Sequence, residues 1–326
     1  MPTDAAPAGR WVRQGLLVTP PQGHPRWASH AQAPTVLPLS PSCWRVYFGG
    51  RDDANCSRIF YADLDPRDGF RVLHVHEQPL LECGEPGRFD VHGMGPATVL
   101  RVGREVWLYY SGIAQRRDVP YQIAVGLAIS DDDGRSFRRA AAGPVMSAGR
   151  HDPCFVSTPC VWRDGDRFRA VYMSATRWVR LGTGWECCYD LRLAESRDGL
   201  DWTLRPDVAI GLSGDEAGLA RPWIVADGSA MRMWFCHRGL QRFREAGGET
   251  YRMQAAQSLD GLSWRRDEAD LCWANPPAPG DWDGWMQAYP CVLPLGDELV
   301  MFYNGNDFGR GGFGWARTER SSPAQR

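Results

Sequence analysis

A proline followed by a short apolar strand occurs five times along this chain, at Pro34, Pro96, Pro159, Pro222 and Pro290. The spacings between them are 62, 63, 63 and 68 residues. A fixed period of this length is the mark of a repeat architecture and outranks any local reading of secondary structure. After each proline strand comes an aromatic-rich strand: Trp44 to Phe48, Val106 to Tyr110, Phe168 to Met173, Met231 to Phe235, and Leu299 to Tyr303. A third strand rich in small residues follows each of these. Three units then carry Ser-x-Asp-Gly-type turns, at Ser196 to Trp202, Ser258 to Trp264 and the longer Ser130 to Phe137. Asp-Gly favours a hairpin because glycine accepts positive φ at little cost.

Four short strands per unit, five times over, predict an all-β five-bladed β-propeller with four-stranded antiparallel blades. The fifth unit lacks a fourth strand, and Trp11 to Thr19 has the missing character. The N-terminal strand is therefore expected to complete the last blade and close the ring, hiding strand edges. The competing reading is a truncated blade with a disordered N-terminus. The expected organisation is one propeller domain over residues 11–317, between disordered ends at 1–10 and 318–326.

Composition narrows the function. Net charge is −2, so no basic surface argues for nucleic acid or an anionic membrane. No apolar run approaches about 18 residues and no leader is visible, which gives a soluble, cytoplasmic expectation. All 37 basic residues are arginine, which excludes lysine Schiff bases and P-loop chemistry. Ten cysteines without a Cys-x-x-Cys pair read as small apolar residues of the strands, the vicinal Cys187-Cys188 included, rather than as a zinc site. No cofactor is expected, a metal on the propeller axis being the alternative. The oligomeric state is left open.

The start of each first strand and the end of each second strand meet on one face of a propeller. Gathered there are His30, Gln32, Arg51, Asp90, His92, Asp152, Arg177, Glu216, Arg221, His237, Arg238, Asp283, Gln287 and Asn304. Each has a structural reading as well: Asp90 and Asp152 could fix turns, and His30 and His92 could be spacers or share an axial metal. Arg221, directly before Pro222, needs an anion, a carboxylate or a substrate oxygen. Trp178, Trp185, Trp282 and Trp285 lie in glycine-rich loops, where a ring could stack on a sugar or simply pack.

The blade architecture and the Ser-x-Asp-Gly-x-x-Trp turns resemble the propeller glycosidases of families 43, 32, 68 and 130, from about Trp11 to Arg317. The stretches from Glu216 to Trp223 and from Tyr303 to Asn306 look like a divergent branch associated with polysaccharide or sugar pathways. Those families place a catalytic Asp immediately before a proline of the first inner strand. Here the five equivalents are Ala33, Gly95, Thr158, Arg221 and Tyr289, none acidic. The resemblance then implies a displaced pair: Glu216 as acid and Asp90 as base, with Asp152 orienting. The other gathered residues would hold a small sugar or sugar-like substrate. Such a pair needs carboxyls about 5–5.5 Å apart for retention or about 6.5–9.5 Å for inversion. Two rivals stand beside hydrolysis: a non-hydrolytic step such as elimination, cyclisation or group transfer, and a non-catalytic carbohydrate-binding propeller.

Overall fold

A computed structural model describes residues 10–318, so the expectation of disordered ends falls almost wholly outside the described residues. The described residues are nearly all β, with one four-residue turn, α1 (Asn306–Gly309), in which Asp307 and Phe308 are left-handed. β1 (Trp11–Val18) does not pair with β2 (Ser29–Ser40), its neighbour in sequence. Instead β2, β3 (Cys43–Arg51), β4 (Ser57–Asp65) and β5 (Arg71–His76) form one antiparallel sheet in that order. A second runs through β6 (Met94–Val102), β7 (Glu105–Gln115), β8 (Tyr121–Ser130) and β9 (Arg138–Arg139). Next come β10 (Phe155–Asp164), β11 (Arg167–Leu181), β12 (Gly184–Ser196) and β13 (Trp202–Ile210), then β14 (Gly218–Asp227), β15 (Ala230–Arg238), β16 (Arg252–Ser258) and β17 (Arg265–Arg266). These eight count as one sheet through a single parallel residue pair, Tyr189 with Gly218. The last sheet runs β18 (Ala288–Leu295), β19 (Glu298–Asn304), β20 (Phe313–Thr318) and then β1, so the N-terminal strand takes the outer place the short last unit leaves open.

The proline strands pack side by side in a closed ring: β2 against β6, β6 against β10, β10 against β14, β14 against β18, and β18 against β2. Each carries a register break at its proline. At four of them the residue before proline is left-handed: Ala33 at φ 56°, Thr158 at 43°, Arg221 at 55° and Tyr289 at 59°. Proline already disfavours the right-handed helical region for its predecessor, and a bulge re-aims the side chain it carries. Strain of this kind, about 1–3 kcal/mol per residue, persists only where the surroundings impose it.

The Ser-x-Asp-Gly turns also join neighbouring units. Ser196 and Asp198 accept the backbone amides of Gly199, Leu200 and Asp201, and the Tyr109 hydroxyl of the preceding sheet donates to the Gly199 carbonyl at 2.8 Å. Tyr47 treats Gly134 in the same way at 2.9 Å. Gly199 sits at φ +77°, and a Cβ there would lie 2.6 Å from the Trp107 ring, so only glycine fits.

Candidate functional site

Three of the gathered aspartates occupy one repeated position. Asp90 accepts from the Tyr110 hydroxyl at 3.0 Å, Asp152 from Tyr172 at 3.0 Å and Asp283 from Tyr303 at 2.6 Å, each tyrosine lying 20 residues further on in the second strand of its sheet. All three carboxylates are buried. An outer-strand arginine completes two of these latches. Arg139 of β9 donates to Asp90 at 2.9 and 2.7 Å, and Arg13 of β1 holds both oxygens of Asp283 at 2.9 and 2.7 Å. Glu216 is the β14–β17 version of the latch. His237 replaces the tyrosine, with Nδ1 3.0 Å from Oε1, and Arg266 of β17 grips both carboxylate oxygens.

Glu216 and Asp90, expected as acid and base, are thus each bonded within a latch of this kind. Each carboxylate bonds to the outer strand of its own unit, and β10 stands between their inner strands. A general acid also needs a raised pKa. Burial alone would raise that of Glu216, but the bonds from Arg266, His237 and the Ser213 amide reverse this and hold it at about 2. Asp152, expected to orient that pair, is instead taken by its own tyrosine latch. Asp90→Asn should accordingly act on stability: about 1–3 kcal/mol should be lost in urea unfolding, because Arg139 and Tyr110 lose their charged acceptor.

Arg221 is inward, as expected, but its partners are carbonyls. It is 1 % exposed. Nη1 donates to Pro96 O at 2.9 Å and Ala97 O at 2.7 Å, while Nη2 donates to Pro34 O at 3.1 Å and Thr35 Oγ1 at 2.5 Å. β2 and β6 are the two inner strands that do not neighbour β14, so this side chain spans the ring axis and stoppers it. Burial lowers its pKa. Where a substrate contact was expected, the guanidinium bonds backbone carbonyls and the Thr35 hydroxyl. Asn304 likewise joins the two ends of the chain: its amide donates to Ala31 O at 2.8 Å and Gly312 O at 3.0 Å, and its oxygen accepts from the Ala33 amide at 2.7 Å. Gln287 donates to the Asp283 carbonyl, and with Asp270, Arg252 and Trp273 it borders a small outer cavity of about 290 Å³. His151 and Asp152 border a larger one of about 570 Å³ beside Trp202 to Pro206 on the outer strand β13.

Around the ends of β3 and β15, several of the remaining expected residues and others that sequence reasoning missed are joined in a set of hydrogen bonds and ring contacts. Arg51 at the end of β3 donates to Gln32 Oε1 at 2.6 Å and Asn55 Oδ1 at 3.0 Å. Gln32 also bonds the side chain of Tyr289, the half-buried residue before Pro290. Tyr289 packs on Tyr251 at 5.8 Å, whose hydroxyl meets that of Tyr189. Arg238 lies buried on the Tyr189 and Phe243 rings and bonds Tyr189 Oη at 2.9 Å. Arg244 covers Phe243 and pairs with Glu186 at 2.9 Å. His30 donates its backbone N–H to the Arg310 carbonyl at 3.1 Å, and burial beside Arg51 and Arg310 lowers its pKa to about 3, so it stays neutral. His92 and Arg177 are exposed further out, His92 Nδ1 accepting from the Gln115 amide at 3.1 Å. Trp178 packs on Tyr121 and Phe155, and Trp282 on Tyr303, while Trp185 stays exposed. Among the described residues no group of three or more metal-type side chains gathers.

The whole chain has a close counterpart. The Mycobacterium tuberculosis protein Rv1502, described as uncharacterised, is 35 % identical over 311 residues, covering 95 % of this chain and 99 % of its own. This chain belongs to the Rv1502 family. No family model matches it. Among solved structures, a complex of BT0996 with RGII superposes at TM-score 0.73 and 18 % identity, over 98 % of this chain and 94 % of the other. A structure from the family 130 mannoside phosphorylases and glycoside hydrolases gives 0.68 at 11 % identity, covering 99 % and 97 %. A thermostable family 43 glycoside hydrolase gives 0.61 at 16 %, covering 93 % and 98 %. The fold of the Rv1502 family is thus that of the glycoside hydrolase-like propellers. No helix among the described residues is long and apolar enough to cross a membrane.

Proposed function

We propose that this member of the Rv1502 family is a five-bladed propeller enzyme, one domain over residues 11–317, acting on a small glycoside or sugar-containing intermediate at the mouth of the ring. The observation that carries the reading is the asymmetry of that mouth. Arg51, Gln32 and Tyr289 adjoin Tyr251, Phe243 and Arg244 with no counterpart set in the other units named above, whereas a binding propeller repeats its ligand contacts blade by blade. Flat aromatic faces beside fixed hydrogen-bond donors suit a sugar ring and its hydroxyls. The likeness to glycoside hydrolase propellers, one of them in complex with RGII, supports the same substrate class.

One observation favours a non-hydrolytic step within this class. Asp90, Asp152, Glu216 and Asp283 are all engaged in latches, which leaves tyrosine hydroxyls and the arginine-paired Glu186 to move protons at the mouth. Burial raises the pKa values of Tyr289 and Tyr251, so both hydroxyls stay protonated and can donate. Incubation with a panel of aryl glycosides and oligosaccharides in ¹⁸O-water tests the two routes. Hydrolysis delivers a new reducing end carrying ¹⁸O, and elimination or cyclisation delivers a product without it. Sugar binding with no conversion of any panel member would return the protein to the carbohydrate-binding class.

A further inference from the structure

Arginine is paired with carboxylate through much of this molecule, which makes the exceptions near the ring axis informative. Among the described residues there, Arg51, Arg221, Arg238 and Arg310 form no ion pair with any carboxylate. Arg221 and Arg238 are buried and bonded to carbonyl and hydroxyl oxygens, with only the Arg221 Nε left without a partner among those bonds. Arg51 and Arg310 differ, because they border the mouth. Arg51 is half-buried, is held by two neutral amide oxygens, and stands at the Gln32–Tyr289 wall. Arg310 is exposed on the turn after α1, and its own carbonyl rests on the His30 backbone. Arg244 reaches the same rim, 6.0 Å above the Phe308 ring, and Phe308 in turn packs on Tyr251. Burial lowers the Arg51 pKa, Tyr289 raises it, and the charges of Arg244 and Arg310 lower it further, so both of those cations lie close enough to act on Arg51. Holding such charges together without a carboxylate between Arg51 and Arg310 is costly unless an anion completes the set.

We propose that the mouth of the ring binds an anionic group of its sugar substrate, a carboxylate or phosphoryl oxygen held by Arg51 and Arg310 with Arg244 at the rim, while the sugar ring lies against Tyr289, Tyr251 and Phe308. Planar guanidinium forks match the oxygens of both groups. The inference rests on the sugar-acting reading and narrows its substrate class to acidic or phosphorylated sugars. It also explains the neutral His30, which accommodates the surrounding cations by remaining uncharged.

Inorganic phosphate, glucuronate, glucose 6-phosphate and glucose, each titrated at matched ionic strength by calorimetry and thermal shift, supply the test. Saturable binding of phosphate and of at least one acidic sugar is expected, with glucose weaker. The preference between glucuronate and glucose 6-phosphate identifies the group. Arg51→Gln should weaken anion binding about 10-fold, the scale of one charged hydrogen bond. Arg310→Glu, at an exposed position that leaves the fold intact, should weaken it at least as much. Equal anion binding by wild type and both variants, or none by wild type, overturns the proposal. Anion binding that depends on Arg51 but accompanies no sugar conversion would instead count against the enzyme reading and leave the anion site standing. Turnover of neutral glycosides unaffected by Arg51→Gln would do the reverse.

Discussion

Replacing Arg221 with methionine is expected to destabilise the protein by about 3–5 kcal/mol, the range seen when one member of a buried polar network is removed. The side chain is fully enclosed and ties β14 to β2 and β6 on the far side of the ring. Methionine fills much of the volume but leaves the carbonyls of Pro34, Pro96 and Ala97 without their donor. Each buried polar group stranded in this way costs about 1–3 kcal/mol. At about 2–4 °C per kcal/mol for a large domain, the melting temperature should fall by roughly 10 °C. Arg221→Lys should recover only part of the loss, since a single ammonium cannot satisfy two strands at once. Thermal and urea unfolding of both variants decide the matter. If Arg221→Met lay within about 1 kcal/mol of wild type, the guanidinium would not be holding the ring. A ligand-binding Arg221 would behave in the opposite way, losing affinity with little change in stability.

The same residue marks what could and could not be read from sequence. Its inward direction follows from its place before Pro222, since the period puts all five pre-proline residues on the inner strands. Its partners did not follow. They are carbonyls released by the bulges at Pro34 and Pro96, and nothing in residue types announces an acceptor on the backbone. The strand order, the turn motifs and the closing role of Trp11 to Val18 were legible because each depends on a short local pattern repeated at a fixed interval.

The direction in which the polar residues point was harder to read. Asp90 and Glu216 precede their prolines by six positions, and Asp152 and Asp283 by seven, so the repeat itself signals a shared structural task. The partner pattern was in the sequence as well. A tyrosine stands 20 residues after each of the three aspartates, and an outer-strand arginine 49 or 50 residues after Asp90 and Glu216. Read as a motif, this recurring set describes a latch between the inner and outer strands of one unit. Read residue by residue, the same carboxylates resemble a catalytic pair. Arg244 and Arg310 escaped for a different reason: they belong to no repeat, and loops bring them to the strand residue Tyr289.

Glu216→Gln should cost about 3 kcal/mol near pH 6, and the pH dependence of stability should change shape with it. The folded pKa of about 2 lies below the ordinary 4.5. Glu216 therefore contributes stability that is fully present above about 4.5 and lost as pH falls toward 2. The scale is about 1.4 kcal/mol for every tenfold change in its proton affinity on folding. Asp270 is also lowered and adds to this acid limb. His237 works in the opposite sense. Burial alone would lower its pKa, but Asp270 at 2.7 Å and Glu216 at 3.0 Å raise it above 6.5. Its contribution is complete below 6.5 and disappears as pH climbs through the raised folded value. The cluster is then most stabilising between about pH 4.5 and 6.5, where both carboxylates and the imidazolium are charged. In Glu216→Gln the acid limb should become shallower, because Arg266 and His237 no longer face a group that titrates there. The alkaline limb should flatten too, since His237 keeps only Asp270. Urea midpoints measured every half unit from about pH 3 to 8 would reveal both changes. An unaltered acid limb in the variant would mean that Glu216 is not the carboxylate whose protonation opens the β14–β17 sheet.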